Sequence, residues 1–145
     1  GEVTVNIFTV YAMNQVNGYP VDHPATRSDP ARAWKRFNEH LAAGAPFAEW
    51  KRDPFLALQT YAMLWHAFGW DAYHRAFRAY DDLAASQRPG DDAAKRDLFM
   101  VTMSRAVGRN LGPYFQSWGV PISEAAMAEV GALPGWMPRE PAATR

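Results

Sequence analysis

Apolar positions recur along this chain at helical steps, interrupted by glycine, proline and short polar residues. Val3, Ile7, Val10 and Met13 step by threes and fours between about Glu2 and Asn17, which predicts a first helix. The Val and Thr content of residues 3–10 would also suit a strand. Asn17-Gly18 ends the run, and Pro20, Pro24 and Pro30 mark a long surface connection. Ser28-Asp29-Pro30 then opens a second helix, with a cap residue before a first-turn proline. Its buried face is expected to carry Ala31, Trp34, Phe37 and Leu41 until Gly44 stops it.

Asp53-Pro54 repeats the start signal and launches a third run to about Phe68, in which only Gln59, Thr60, Tyr61 and His66 carry polar side-chain atoms. An almost wholly apolar helix belongs at the centre of a fold. Gly69 is a stop, and Asp71 can cap the next helix and assist Arg75 four residues on. That helix has the cleanest stripe, with Tyr73, Ala76, Phe77, Tyr80 and Leu83 inward. Asp91-Asp92 supplies an acidic start to a fifth run, about Ala93 to Val107, closed by Gly108. Asn110 is expected to cap a short helix bearing Leu111, Tyr114, Phe115 and Trp118, and Ser123 a final one with Ala126, Met127 and Val130. The pattern predicts an all-α chain, a compact bundle of six or seven helices with short loops, and a Pro-rich tail over residues 132–145 that is docked or flexible.

Composition agrees with a packed domain. The chain has 145 residues, 48% hydrophobic types and 21% charged ones, enough apolar surface for a core of its own. Its 15 Lys and Arg offset 15 Asp and Glu, so net charge supplies no footprint for nucleic acid or anionic lipid. Absence of cysteine removes disulfides, thiolate zinc sites and cysteine nucleophiles. No run is long enough to span a membrane. The start has neither Met nor the basic head of a signal peptide, so further chain is expected in front of it.

The candidate chemistry is sparse. His23, His40, His66 and His74 form no metal-spaced pair, and no HExxH, phosphate-binding loop or dinucleotide fingerprint occurs. Ser104 and Ser123 lack a base at recognisable spacing. His66 reads first as a core or boundary histidine. Trp50, Trp70 and Trp136 sit beside breaks and are expected to be partly exposed. Arg109 with Asn110 reads either as a ligand grip or as a basic helix end followed by a cap.

Several ordered segments add to this reading. Gly1-Glu2-Val3-Thr4-Val5-Asn6-Ile7-Phe8 resembles the segment after the HExxH helix of enhancin-type, mucin-degrading zinc metallopeptidases. The resemblance continues at Phe68-Gly69-Trp70-Asp71-Ala72-Tyr73. It is strongest from Ser104 to Phe115, through Gly108-Arg109-Asn110-Leu111-Gly112-Pro113, and runs on through Trp118-Gly119-Val120-Pro121. It implies that residues 1–145 are the helical C-terminal subdomain of a secreted or cell-surface peptidase domain whose substrate is a mucin-like glycoprotein. It implies Glu2 as the third zinc ligand, with Asn6 behind it, and Arg109, Asn110, His66 and Trp70 as cleft or structural residues. The two histidine ligands and the base would come from an upstream HExxH part of the same chain, so the isolated piece would bind no zinc and be inactive. The rival reading is a non-catalytic helical module that binds glycan or protein, or acts as a scaffold.

Overall fold

The computed structural model describes residues 2–142, with side chains from Asn6 onward. Among these residues the chain is all-α, with seven α-helices and no strand. They are α1 (Glu2–Tyr11), α2 (Pro30–Ala42), α3 (Phe47–Arg52), α4 (Pro54–Asp81), α5 (Asp92–Val107), α6 (Gly112–Ser117) and α7 (Glu124–Glu129). Residues 3–10 are helical, which disposes of the strand alternative, and α1 runs on into a π-helical stretch, Ala12–Val16.

The start signals act as expected. Asp29 Oδ1 accepts from Arg32 N–H at 2.9 Å, Asp91 Oδ1 from Ala94 N–H at 2.8 Å, and Ser123 Oγ from Ala126 N–H at 3.2 Å. Each satisfies an amide that has no partner in the first turn. Asp53 does the same for α4, accepting from Phe55 and Leu56 N–H.

The described residues form two compact units, one of residues 2–67 with 138–142 and the other of Phe68–Met137. In the first, Ile7, Val10, Phe37, Trp50, Leu56, Leu58 and Leu64 are buried. Leu58 is only 2% exposed, as the apolar run predicted. In the second, Tyr73, Met100, Met103, Leu111, Tyr114, Phe115 and Trp118 are buried, and α5 packs on α7. Rings of this unit meet edge-on or tilted, with Tyr114 5.7 Å from Phe115 and 5.0 Å from Trp136. Trp136 also meets Phe68, and a backbone bridge joins Asn110 to Gly135, so residues 135–136 are docked.

Three expectations at the level of elements are corrected. The buried stripe of α2 is Ala33, Phe37 and His40, while Ala31 faces solvent and Leu41 is 39% exposed. The short helix α3 was not foreseen, and it buries Trp50, whose Nε1–H donates to Thr60 Oγ1 at 2.9 Å. Arg75 does not pair with Asp71: its guanidinium donates to Ala106 O at 3.1 and 3.3 Å near the end of α5.

Candidate functional site

The first unit holds a group of buried polar atoms without hydrogen-bond partners in the protein, on Ser28, Gln59 and His66. It is built on one stripe of α4. Phe55, Gln59 and His66 lie four and seven residues apart, which places them on the same side of a helix. Across from them runs the end of the connection before α2. Gln59 Nε2 donates to Arg27 O at 3.1 Å and to Phe55 O at 2.8 Å. His66 Nε2 lies 2.6 Å from Ser28 O. A carbonyl only accepts, so this nitrogen carries the proton and Nδ1 is the bare one. The Arg27 guanidinium sits 4.7 Å above the Phe55 ring.

The clamped segment is strained. Arg27 has φ 55° and ψ 20°, a left-handed conformation that a side chain bearing Cβ adopts at a cost. Ser28 Oγ, Gln59 Oε1 and His66 Nδ1 are all buried with no hydrogen-bond partner in the protein. Burial pushes the His66 ring below the usual imidazole range, against the opposing pull of the Ser28 carbonyl and the Asp29 carboxylate. The ring packs on Trp65 at 4.8 Å.

A small open pocket lies elsewhere in the same unit. About 120 Å³ in volume, it is lined by Arg36, Glu39, His40, Ala43, Glu49 and Leu56. It is smaller than the usual pocket for a cofactor or drug-sized ligand. Beside it, Arg36 pairs with Asp53 at 2.7 Å.

The residues singled out by sequence are distributed over both units. Asn6 donates to Pro54 O at 3.4 Å, at the start of α4. The Glu2 side chain lies outside the described residues. Trp70 is half-buried against Tyr73 at 5.7 Å. Arg109 is exposed, and Asn110 Oδ1 accepts from Gly112 N–H at 2.9 Å, which is a turn-forming role. The segment around Arg109 is otherwise organised by Ser104, fully buried, whose Oγ accepts from Leu111 N–H at 3.1 Å. Gln59 carried no signal in the sequence beyond being a polar residue in an apolar run, while Ser28 was legible only as part of a helix start and Ser104 only as a serine without a base and the first residue of a motif.

Residues 1–119 match the family described as peptidase M60, enhancin and enhancin-like. The chain belongs to that family. Its matches among characterised proteins are of another kind than expected. TRPM8 channel-associated factor 2 of Bos taurus is 37% identical over 93% of this chain, and that of Homo sapiens is 33% identical over the same share. The zebrafish (Danio rerio) TRPM8 channel-associated factor homolog is 33% identical over 93% of the chain. The chain spans 14% of the length of these relatives. A solved structure of a functionally unknown conserved protein from Bacillus anthracis superimposes with a TM-score of 0.70 at 26% identity, covering 92% of this chain and 26% of that one.

These relatives correct the expected assignment to mucin-degrading zinc peptidases. By name they are channel-associated factors, not peptidases. Zinc falls with that assignment: among the described residues there is no group of three or more His, Cys, Asp and Glu able to hold a metal ion. In α4 the ring nitrogen of His66 faces the Ser28 carbonyl, and His40 of α2, though it lines the small pocket with Glu39 and Glu49, belongs to no such group. The glycoprotein substrate, the upstream HExxH partner and the extracellular or cell-surface location rested on the peptidase resemblance alone, and are withdrawn with it. Among the described residues no helix is long and apolar enough to cross a membrane.

Proposed function

We propose that this chain is a non-catalytic helical binding and scaffold module of a longer protein, and that its partner is an ion-channel protein of the TRPM8 kind. The observation that carries the reading is its similarity, over 93% of its length, to proteins named for association with that channel. The internal arrangement supports it. Polar side chains of the strongest sequence motif close turns, with Ser104 holding Leu111 N–H and Asn110 holding Gly112 N–H, instead of converging on a reacting atom. Exposed apolar side chains at Val16, Tyr19, Val21 and Phe55 provide contact area on the first unit.

The test presents detergent-solubilised TRPM8 to the immobilised chain, with an unrelated channel as control. Saturable retention of TRPM8 above the control is the expected result. Retention equal to the control overturns the reading. So does zinc-dependent, chelator-sensitive cleavage of a mucin-like glycoprotein by the purified chain.

A further inference from the structure

We propose that His66 is an acid-sensitive latch that holds the connection between α1 and α2 against α4. The proposal is independent of what the chain binds. Three side chains of one α4 stripe grip two successive residues of that connection: Phe55 and Gln59 engage Arg27, and His66 engages Ser28. Among the three only His66 titrates near neutrality.

Protonation has no comfortable outcome in the closed state. The neutral ring donates through Nε2 to Ser28 O at 2.6 Å and leaves Nδ1 bare and buried. Adding a proton creates a second N–H in a place with no acceptor. Ser28 Oγ and Gln59 Oε1, the other buried acceptors of this stripe without partners, make no hydrogen bond to the ring. An unpaired buried N–H on a cation is costly.

The charged groups on the packed segment are Arg27 and Asp29. The Arg27 guanidinium is committed to the face of Phe55, and the Asp29 carboxylate to the Arg32 side chain at 3.3 Å and the Arg32 amide at 2.9 Å. Asp29 attracts the imidazolium without touching it, which moderates the penalty and does not remove it. On α4 itself the neighbouring ring is Trp65, which is neutral.

Relief comes from swinging the charged ring to water, which breaks the bond to Ser28. The strained Arg27 backbone then loses one of its restraints and relaxes from the left-handed region. Strain held by a small set of contacts is characteristic of elements that switch. Tyr19 and Val21, already partly exposed on the same connection, would be presented more freely.

Hydrogen exchange on the whole chain tests this, read on peptides covering residues 19–30 at about pH 7.5 and about pH 5 and corrected for intrinsic rates, with the His66 ring followed by NMR. In the wild type, protection of the Thr26, Arg27 and Ser28 amides should fall roughly tenfold across the His66 titration. His66→Gln keeps a donor at the Nε2 position without a titrating ring, and should stay protected at both pH values. His66→Phe removes the donor and should be weakly protected at both. Unchanged protection while His66 titrates overturns the latch. So does an undiminished pH response in His66→Gln, which remains informative if His66→Phe does not fold. A ring that stays neutral down to about pH 5 overturns it equally.

Discussion

Single residues in this protein do work that their chemical type does not announce. Ser104 reads in sequence as a serine without a base, and in the fold its hydroxyl is fully buried and accepts from the Leu111 amide at 3.1 Å. Replacing it with alanine leaves that N–H without an acceptor, and Ser104→Ala should cost about 1–3 kcal/mol in urea denaturation. A loss below about 0.5 kcal/mol would show that the bond contributes little. Gly69 is another such residue. Its φ of 74° and ψ of 177° lie where only glycine sits without strain, and a Cβ there would meet nothing within 4 Å. The penalty for Gly69→Ala is therefore conformational rather than steric. A drop of roughly 1–3 kcal/mol in stability is expected, and a variant as stable as the wild type would mean the break in α4 can straighten. The sequence marked the glycine as a stop. The stop is real, since residues 54–81 are two helical runs meeting at a kink; the extended ψ at Gly69, which lets the second run begin at once, came only with the structure.

Helix starts were legible one by one, because a cap is a contact between residues three apart. Asp29, Asp53, Asp91 and Ser123 each accept the amide their position implies. Helix faces were less so. In α2 the period pointed to the Ala31-Trp34-Phe37-Leu41 stripe, and the fold buries Ala33, Phe37 and His40. A rotation of that size swaps an apolar side chain for an imidazole, and a hydrophobicity pattern weights against it. Within α4 the composition alone sufficed: Leu58 is buried because both sides of that helix are covered. Leu58→Ala should cost about 2–5 kcal/mol in thermal or chemical denaturation, and a cost under 1 would place Leu58 in a site that collapses readily.

For the molecule as a whole, the acid side of the stability curve should have two steps. Burial, opposed by Ser28 and Asp29, leaves the folded His66 below the ordinary imidazole value. Between that ordinary value, about 6.5, and the lower folded one, the unfolded chain binds more protons, so stability falls as pH falls through this window. Asp53 gives the second step. Burial raises its carboxyl, but the Leu56 amide, the Arg36 side chain, the Phe55 amide and the Arg36 charge together bring it below the usual range. Its contribution is present above the unfolded value of about 3.9 and is lost as pH falls through the folded one. Its side chain is 38% exposed, so solvent keeps this step small. Denaturation midpoints across the acid range should show the upper step vanish in His66→Gln and the lower one shrink in Asp53→Asn. A single step unaffected by either change would assign the acid response to general charging of the chain.

The ordered local motifs pointed to mucin-degrading zinc peptidases, and the relatives named as channel-associated factors overturn that assignment. A motif such as Ser104–Phe115 records a fold's turn chemistry, and the same turn serves enzyme and scaffold alike. What the sequence by itself determined was local: helical class, most helix starts, the breaks at Gly69 and Gly108, and the burial of the apolar run around Leu58. Those follow from contacts spanning one or two turns and from the plain cost of leaving apolar surface in water. Tertiary structure decided which face of α2 turned inward, that Arg75 would hold the Ala106 carbonyl, and that Gln59 and His66 would grip Arg27 and Ser28 across more than thirty positions. Each of those choices joins groups distant in sequence, and their energies depend on distances and desolvation that no local spacing encodes.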